Sequence, residues 1–152
     1  MPPNQLTREE IRSLNSRVIS LLTQRHIVSL NEFQIKAFRP QQISSFTTAQ
    51  IRWFTPTQIS YFTLEQIRVF TCEQIKALLP NQIRALTNEQ LRTLTPSQVR
   101  CLSNEQIAGL KNENLISLIT RKNGGLNEEN TQILLSKIEK ITSPDASSYY
   151  GA

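Results

Sequence analysis

Residues 54 to 77 read FTPTQISY, FTLEQIRV and FTCEQIKA, three blocks of eight that differ mainly at positions three, four, seven and eight. The same block extends in both directions, giving fourteen consecutive octads from Leu6 to Ser117. Position one is always Leu or Phe, position two is mostly Thr, and position six is always Ile, Leu or Val. Position five forms an unbroken ladder: Gln34, Gln42, Gln50, Gln58, Gln66, Gln74, Gln82, Gln90, Gln98 and Gln106.

One continuous helix cannot carry this pattern. Eight residues at about 100° each overshoot two turns by roughly 80°, so the apolar pair would drift around the surface. A half-buried strand needs apolar residues two apart, whereas these are spaced five and then three. A fresh short helix in each octad fits. Thr followed three residues later by Gln is the capping-box signature, and the Leu or Phe before the cap with the Ile four after it form a hydrophobic staple. The prolines of the array, Pro40, Pro56, Pro80 and Pro96, all fall at position three, the first helical residue, where a missing N–H costs nothing. Glu65, Glu73, Glu89, Glu105 and Glu113 fall at position four, near the positive end of the helix dipole.

The predicted architecture is therefore an all-α solenoid or superhelix over residues 6–117, each octad a capped helix of about one and a half turns. Helices this short are unstable alone, so neighbouring octads must stack their apolar faces into a common core. The period is lost after Leu118, and residues 118–142 are expected to form C-terminal capping helices. There Arg121 to Gly125 reads as a helix stop, and Asn127 as the cap of a longer helix with Ile133, Leu134, Ile138 and Ile141 on one face. Residues 143–152 read as a disordered tail.

The 152 residues hold 17 Lys or Arg against 12 Asp or Glu, a formal charge of +5. All of the excess belongs to the array: residues 6–117 carry thirteen basic and eight acidic side chains, and 118–152 carry four of each. No run of eighteen apolar residues and no charged-then-apolar leader occurs, so a chain without a membrane span or classical export signal is expected. Cys72 and Cys101 match no paired motif, and the expectation is two free thiols in a reducing compartment.

No catalytic constellation is present, so the reading is non-enzymatic, with no cofactor, no metal and no small-molecule substrate. His26, the one histidine, stands at the Gln position of its octad as an alternative capping partner, with no Cys or carboxylate at ligand spacing. The position-four carboxylates repeat too regularly to be an acid–base pair. The Gln ladder is expected to be satisfied internally, closing capping boxes or bonding to the Gln of the next octad.

Position seven carries the charge. Arg12, Lys36, Arg52, Arg68, Lys76, Arg84, Arg92 and Arg100 all fall there, five of them in consecutive octads, which in a solenoid reads as a basic stripe for an anionic partner. The alternative is a row of solvated helix ends paired with position-four Glu of a neighbour. At position eight, Trp53 and Tyr61 stand where small residues are usual; beside Arg52 and Arg68 they are either an interface hot spot or a bulkier part of the core next to the Phe run from Phe38 to Phe70.

The octads FTPTQISY, LTNEQLRT and LTPSQVRC resemble [LF]-T-x-x-Q-I-x-x repeats of large bacterial secreted or host-directed proteins. The resemblance covers Leu6 to about Ser117, with position-two departures at Arg39, Leu79 and Lys111. It implies repeat strings without a catalytic role, in the cytoplasm or delivered to a host cell without a classical signal peptide. The function expected is a protein–protein interaction scaffold using Arg52, Trp53, Tyr61, Arg68, Lys76, Arg84, Arg92 and Arg100. Non-specific nucleic-acid binding through the stripe and a structural spacer are the alternatives.

Overall fold

The computed structural model describes residues 6–111 and 128–142. The helix stop at Arg121 to Gly125, the Asn127 cap, the rest of residues 112–127 and the tail 143–152 lie outside the described residues, as do the side chains of Ile138 and Ile141. Every described element is a helix. The first thirteen are α1 (Arg8–Arg12), α2 (Ser16–Ser20), α3 (Gln24–Val28), α4 (Glu32–Ala37), α5 (Pro40–Ile43), α6 (Thr48–Trp53) and α7 (Pro56–Tyr61), then α8 (Leu64–Arg68), α9 (Cys72–Ala77), α10 (Pro80–Ala85), α11 (Asn88–Arg92), α12 (Pro96–Cys101) and α13 (Asn104–Ala108). A longer helix, α14 (Glu128–Thr142), follows.

Each octad begins as its sequence dictates. Thr55 is extended, its Oγ1 accepts from the Gln58 N–H at 3.1 Å, and Gln58 Oε1 accepts from the Thr55 N–H at 2.9 Å. Pro56 opens α7 at the first helical position, and Pro40, Pro80 and Pro96 do the same in α5, α10 and α12. His26 substitutes for Gln in α3, its Nδ1 accepting from the Thr23 N–H at 3.1 Å. In α1 the Glu10 carboxylate accepts from Thr7, and the bonds from the Thr7 backbone and side chain hold its pKa below the usual carboxylate value. Arg39 and Leu79 lack an acceptor, so only the Gln half of the box forms there, through Gln42 and Gln82. Restoring the missing half by Leu79→Thr should raise stability by about 1 kcal/mol. The leucine is 40% exposed and gives up little burial, and a thermal melt should show a midpoint higher by roughly 3 °C.

The other end of each Gln sets the superhelix. Gln58 Nε2 donates to Ile27 O at 2.8 Å and to Leu30 O at 2.9 Å, carbonyls at the end of α3 of which Ile27 O also accepts from the Leu30 N–H. The same pair of bonds, to residues 31 and 28 earlier, recurs from Gln42 to Gln106. Helices pack against those three places along the chain, such as α4 on α7 and α9 on α12. One superhelical turn thus takes roughly three and a half octads, and each Gln ties the start of one helix to the end of another in the turn before. Gln does not bond to the Gln of the next octad. The ladder begins at Gln34. At positions 10, 18 and 26 stand Glu10, Val18 and His26, of which Glu10 and His26 close the local capping box.

The core is a single column of position-one and position-six side chains, from Ile11 to Leu110, nearly all inaccessible to solvent. Phe38, Phe46, Phe54, Phe62 and Phe70 follow one another edge to face, with ring centroids 5.2–5.4 Å apart. The column is closed at its far end by α14, which packs on α12 and α13 and buries Leu134, with Ile133 half-buried beside it. The ladder spacing would place the donor to Leu102 O at residue 130. Instead Lys137 of α14 donates through Nζ to Arg100 O at 2.9 Å and to Leu102 O, and Glu129 pairs with Arg100.

Cys72 and Cys101 are joined in a disulfide, their Cα atoms 5.5 Å apart. This corrects the expectation of two free thiols, and removes the ground for placing the chain in a reducing compartment. The pairing was hidden because position three of one octad meets position eight 29 residues later only once the turn length is known. Gly109, also at position eight, sits over Pro80 in the same way: a Cβ there would lie 3.6 Å from the Pro80 Cβ.

Candidate interaction surface

Five consecutive octads exceed one superhelical turn, so the run of cations from Arg68 to Arg100 winds around the solenoid and does not form one straight stripe. Cations three or four octads apart come onto the same side. The turn length sets Arg12, Lys36, Arg68 and Arg92 along one side and Arg52, Lys76 and Arg84 along the opposite one, with Arg100 between them.

The eight cations are not equivalent. Arg12 Nη1 donates to Ala37 O at 3.4 Å, Arg52 Nε to Ala77 O at 3.1 Å, and Arg68 Nε to Thr93 Oγ1 at 3.3 Å, each reaching 25 residues on to position eight of the next turn. These three work as clamps between turns. Lys36 pairs with Glu32 in its own helix at 2.7 Å, and Arg100 pairs with Glu129 of α14. Position-four Glu residues take no part in the ion pairs formed among the described residues. Lys76, Arg84 and Arg92 have no intramolecular side-chain partner there; Lys76 and Arg84 are exposed, and Arg92 is half-buried.

Trp53 and Tyr61 are half-buried and packed against the core, which supports the bulkier-core reading for most of their area. Their remaining surface lies in α6 and α7. Apolar side chains that the sequence reading passed over are more open: Phe33 is 87% exposed and Leu21 68%, with Leu64, Val69 and Leu79 near 40%.

Three turns also enclose an open cleft of about 420 Å³. Arg8 and Arg12 of α1 and Lys36 of α4 supply its positive wall, while Pro40 of α5 and Leu64 and Glu65 of α8 supply the rest. Arg8 and Leu64 carry no signal in the octad pattern, and Glu65 reads there only as a first-turn carboxylate. They meet because seven octads make about two turns, which sets residue 8 over residue 64.

The ten ladder glutamines, Gln34 to Gln106, are buried and point into the wall of the solenoid, so their amides are not offered to a ligand. Among the described residues no group of His, Cys, Asp and Glu is placed to hold a metal ion. No helix there is long and apolar enough to cross a membrane. No family model matches the chain, and comparison with curated proteins and with solved structures finds no match.

Proposed function

We propose that this protein is a non-enzymatic interaction scaffold whose superhelical surface binds a protein partner through its cations and neighbouring apolar side chains. The observation that carries this reading is the contrast at position seven. Arg12, Arg52, Arg68, Lys36 and Arg100 are engaged within the chain, whereas Lys76, Arg84 and Arg92 are not. Cations needed only to hold turns together would be matched at each turn; Lys76, Arg84 and Arg92 sit in the last turns of α9, α10 and α11, where the helix dipole favours them without pairing their charge. Unpaired cations on a surface that also exposes Val69 and Leu79 suit a partner with acidic and apolar groups. Trp53 and Tyr61 extend that surface with the ring area left outside the core. The resemblance of the octads to bacterial secreted repeats makes a bacterial, host-directed setting the place to look for the partner.

The test is affinity capture by the wild-type chain and by a Lys76→Glu, Arg84→Glu, Arg92→Glu variant. Lys76 and Arg84 are exposed and Arg92 is half-buried, and none of the three makes a side-chain hydrogen bond or ion pair among the described residues, so the variant should keep its helical circular dichroism and lose at least about nine-tenths of the captured partner. Capture unchanged by the triple reversal would overturn the reading. Non-specific nucleic-acid binding through the same cations is the second reading. It predicts retention on heparin and a steep fall of DNA or RNA affinity with salt.

A further inference from the structure

We infer that the cleft between α1, α4, α5 and α8 is a binding site for an extended acidic peptide whose carboxylates alternate with apolar side chains. The inference rests on the scaffold reading and names a partner class for a part of the surface away from Lys76 and Arg84. Its first support is charge. Arg8 has no side-chain partner among the described residues. Arg12 gives one Nη to Ala37 O and keeps its other donors. Lys36 is held by an exposed pair four residues away in its own helix, a solvent-screened interaction readily exchanged for an incoming carboxylate. Three cations thus converge on one wall of a cleft of 420 Å³.

The second support is the opposite wall, which distinguishes a peptide from a polyanion. Leu64, more than a third exposed, and half-buried Pro40 offer apolar contact, and the Glu65 carboxylate has no partner among the described residues. A phosphate backbone would meet Glu65 as a like charge, and the ring that lines the cleft itself, Phe38, is buried; the exposed Phe33 lines the adjoining pocket beside Arg8. A peptide satisfies all of these groups: carboxylates for Arg8 and Lys36, an aliphatic side chain against Leu64 and Pro40, and a backbone N–H for Glu65. The residues lie on three successive turns, so the ligand runs along the solenoid axis as an extended chain.

The probe is a fluorescein-labelled hexapeptide of sequence Glu-Leu-Glu-Glu-Leu-Glu, followed by fluorescence anisotropy with the full chain at low and physiological salt. Wild-type protein should bind it, and Arg8→Glu with Lys36→Glu should weaken binding by at least about tenfold, the effect of reversing two rim charges at low salt. Leu64→Ser should weaken it about threefold with an unchanged salt slope, since it removes apolar contact alone. Lys76→Glu with Arg84→Glu should change it less than about twofold, lying on the other side of the solenoid. Absence of peptide binding, or equal binding by the Arg8→Glu, Lys36→Glu protein, overturns the cleft assignment. So does loss of binding in Lys76→Glu, Arg84→Glu instead, an outcome that would leave the scaffold reading standing. An oligothymidylate that binds more tightly than the peptide and depends on Arg8 and Lys36 would also overturn it. Partner capture unchanged by the Lys76→Glu, Arg84→Glu, Arg92→Glu reversal, with peptide binding intact, would count against the scaffold reading alone.

Discussion

Gln66→Leu should destabilise the solenoid by roughly 3 kcal/mol, although it replaces a polar side chain in the core by an apolar one of similar size. Gln66 is 1% exposed and makes three bonds: its Oε1 accepts from the Thr63 N–H at 2.9 Å, and its Nε2 donates to Ile35 O and Phe38 O, each at 2.8 Å. Leucine satisfies none of them. Ile35 O retains the Phe38 N–H at 3.3 Å, but Phe38 O and the Thr63 N–H lose the only partners they have among the described residues. Two buried backbone groups stranded at about 1–3 kcal/mol each outweigh the gain from burying a leucine. Gln66→Glu separates the two halves of the amide. Its carboxylate still accepts from Thr63 but faces two carbonyl oxygens, so its pKa is raised in the folded state. Stability lost at neutral pH is then recovered as the pH falls into the carboxylate range, where protonation returns one donor. Urea unfolding across pH should show a deficit that shrinks on acidification for the Glu variant and is constant for the Leu variant. Equal stability of Gln66→Leu and wild type would refute the account of how turns are joined. Because repeats interact only with neighbouring turns, amide exchange should quicken first around residues 35–38 and 63–66.

The same residue shows what was legible in the sequence. Its cap is local: Thr63 and Gln66 are three residues apart, and the signature names both partners, as it does for the prolines at the first helical position. The target of its amide is not local. It depends on how many octads complete a turn, which follows from the bend angle at each junction and from how Phe and Ile side chains stack, and neither appears in an eight-residue pattern. Everything dependent on turn length was therefore misread or missed. The straight basic stripe becomes cations on two sides, Arg12, Arg52 and Arg68 become clamps between turns, and Arg8 meets Leu64 across 56 positions. By contrast, the ladder from Gln34 to Gln106 is visible in the sequence without geometry, although the earlier turn to which each Gln bonds is not.

The disulfide is the second feature set by turn length, and breaking it should cost about 3.5 kcal/mol, the chain entropy of opening a loop of this size. Cys72 at the start of α9 and Cys101 at the end of α12 are 29 residues apart and belong to successive turns. The link therefore fastens one turn to the next, as the Gln bonds do, but survives opening of the helices themselves. Reductant should lower the thermal midpoint by roughly 10 °C, with the loss concentrated in residues 72–101. Cys72→Ala, Cys101→Ala and the double variant should share that lower midpoint and ignore reductant, because either substitution removes the whole link and the second removes nothing further. Alkylation of the unreduced native protein should leave both thiols unlabelled; labelling of both would refute the pairing. The positions generalise. Pro80 and Gly109 hold the same places one octad later, and a Cβ on Gly109 would lie 3.6 Å from that of Pro80, within the range a disulfide spans. Pro80→Cys with Gly109→Cys should then close a second staple on oxidation, visible as a mass loss of two hydrogens and a further rise in midpoint that reductant abolishes. A pair placed 24 residues apart at position three should stay reduced under the same conditions, since the register joins position three to position eight and to no other copy of itself.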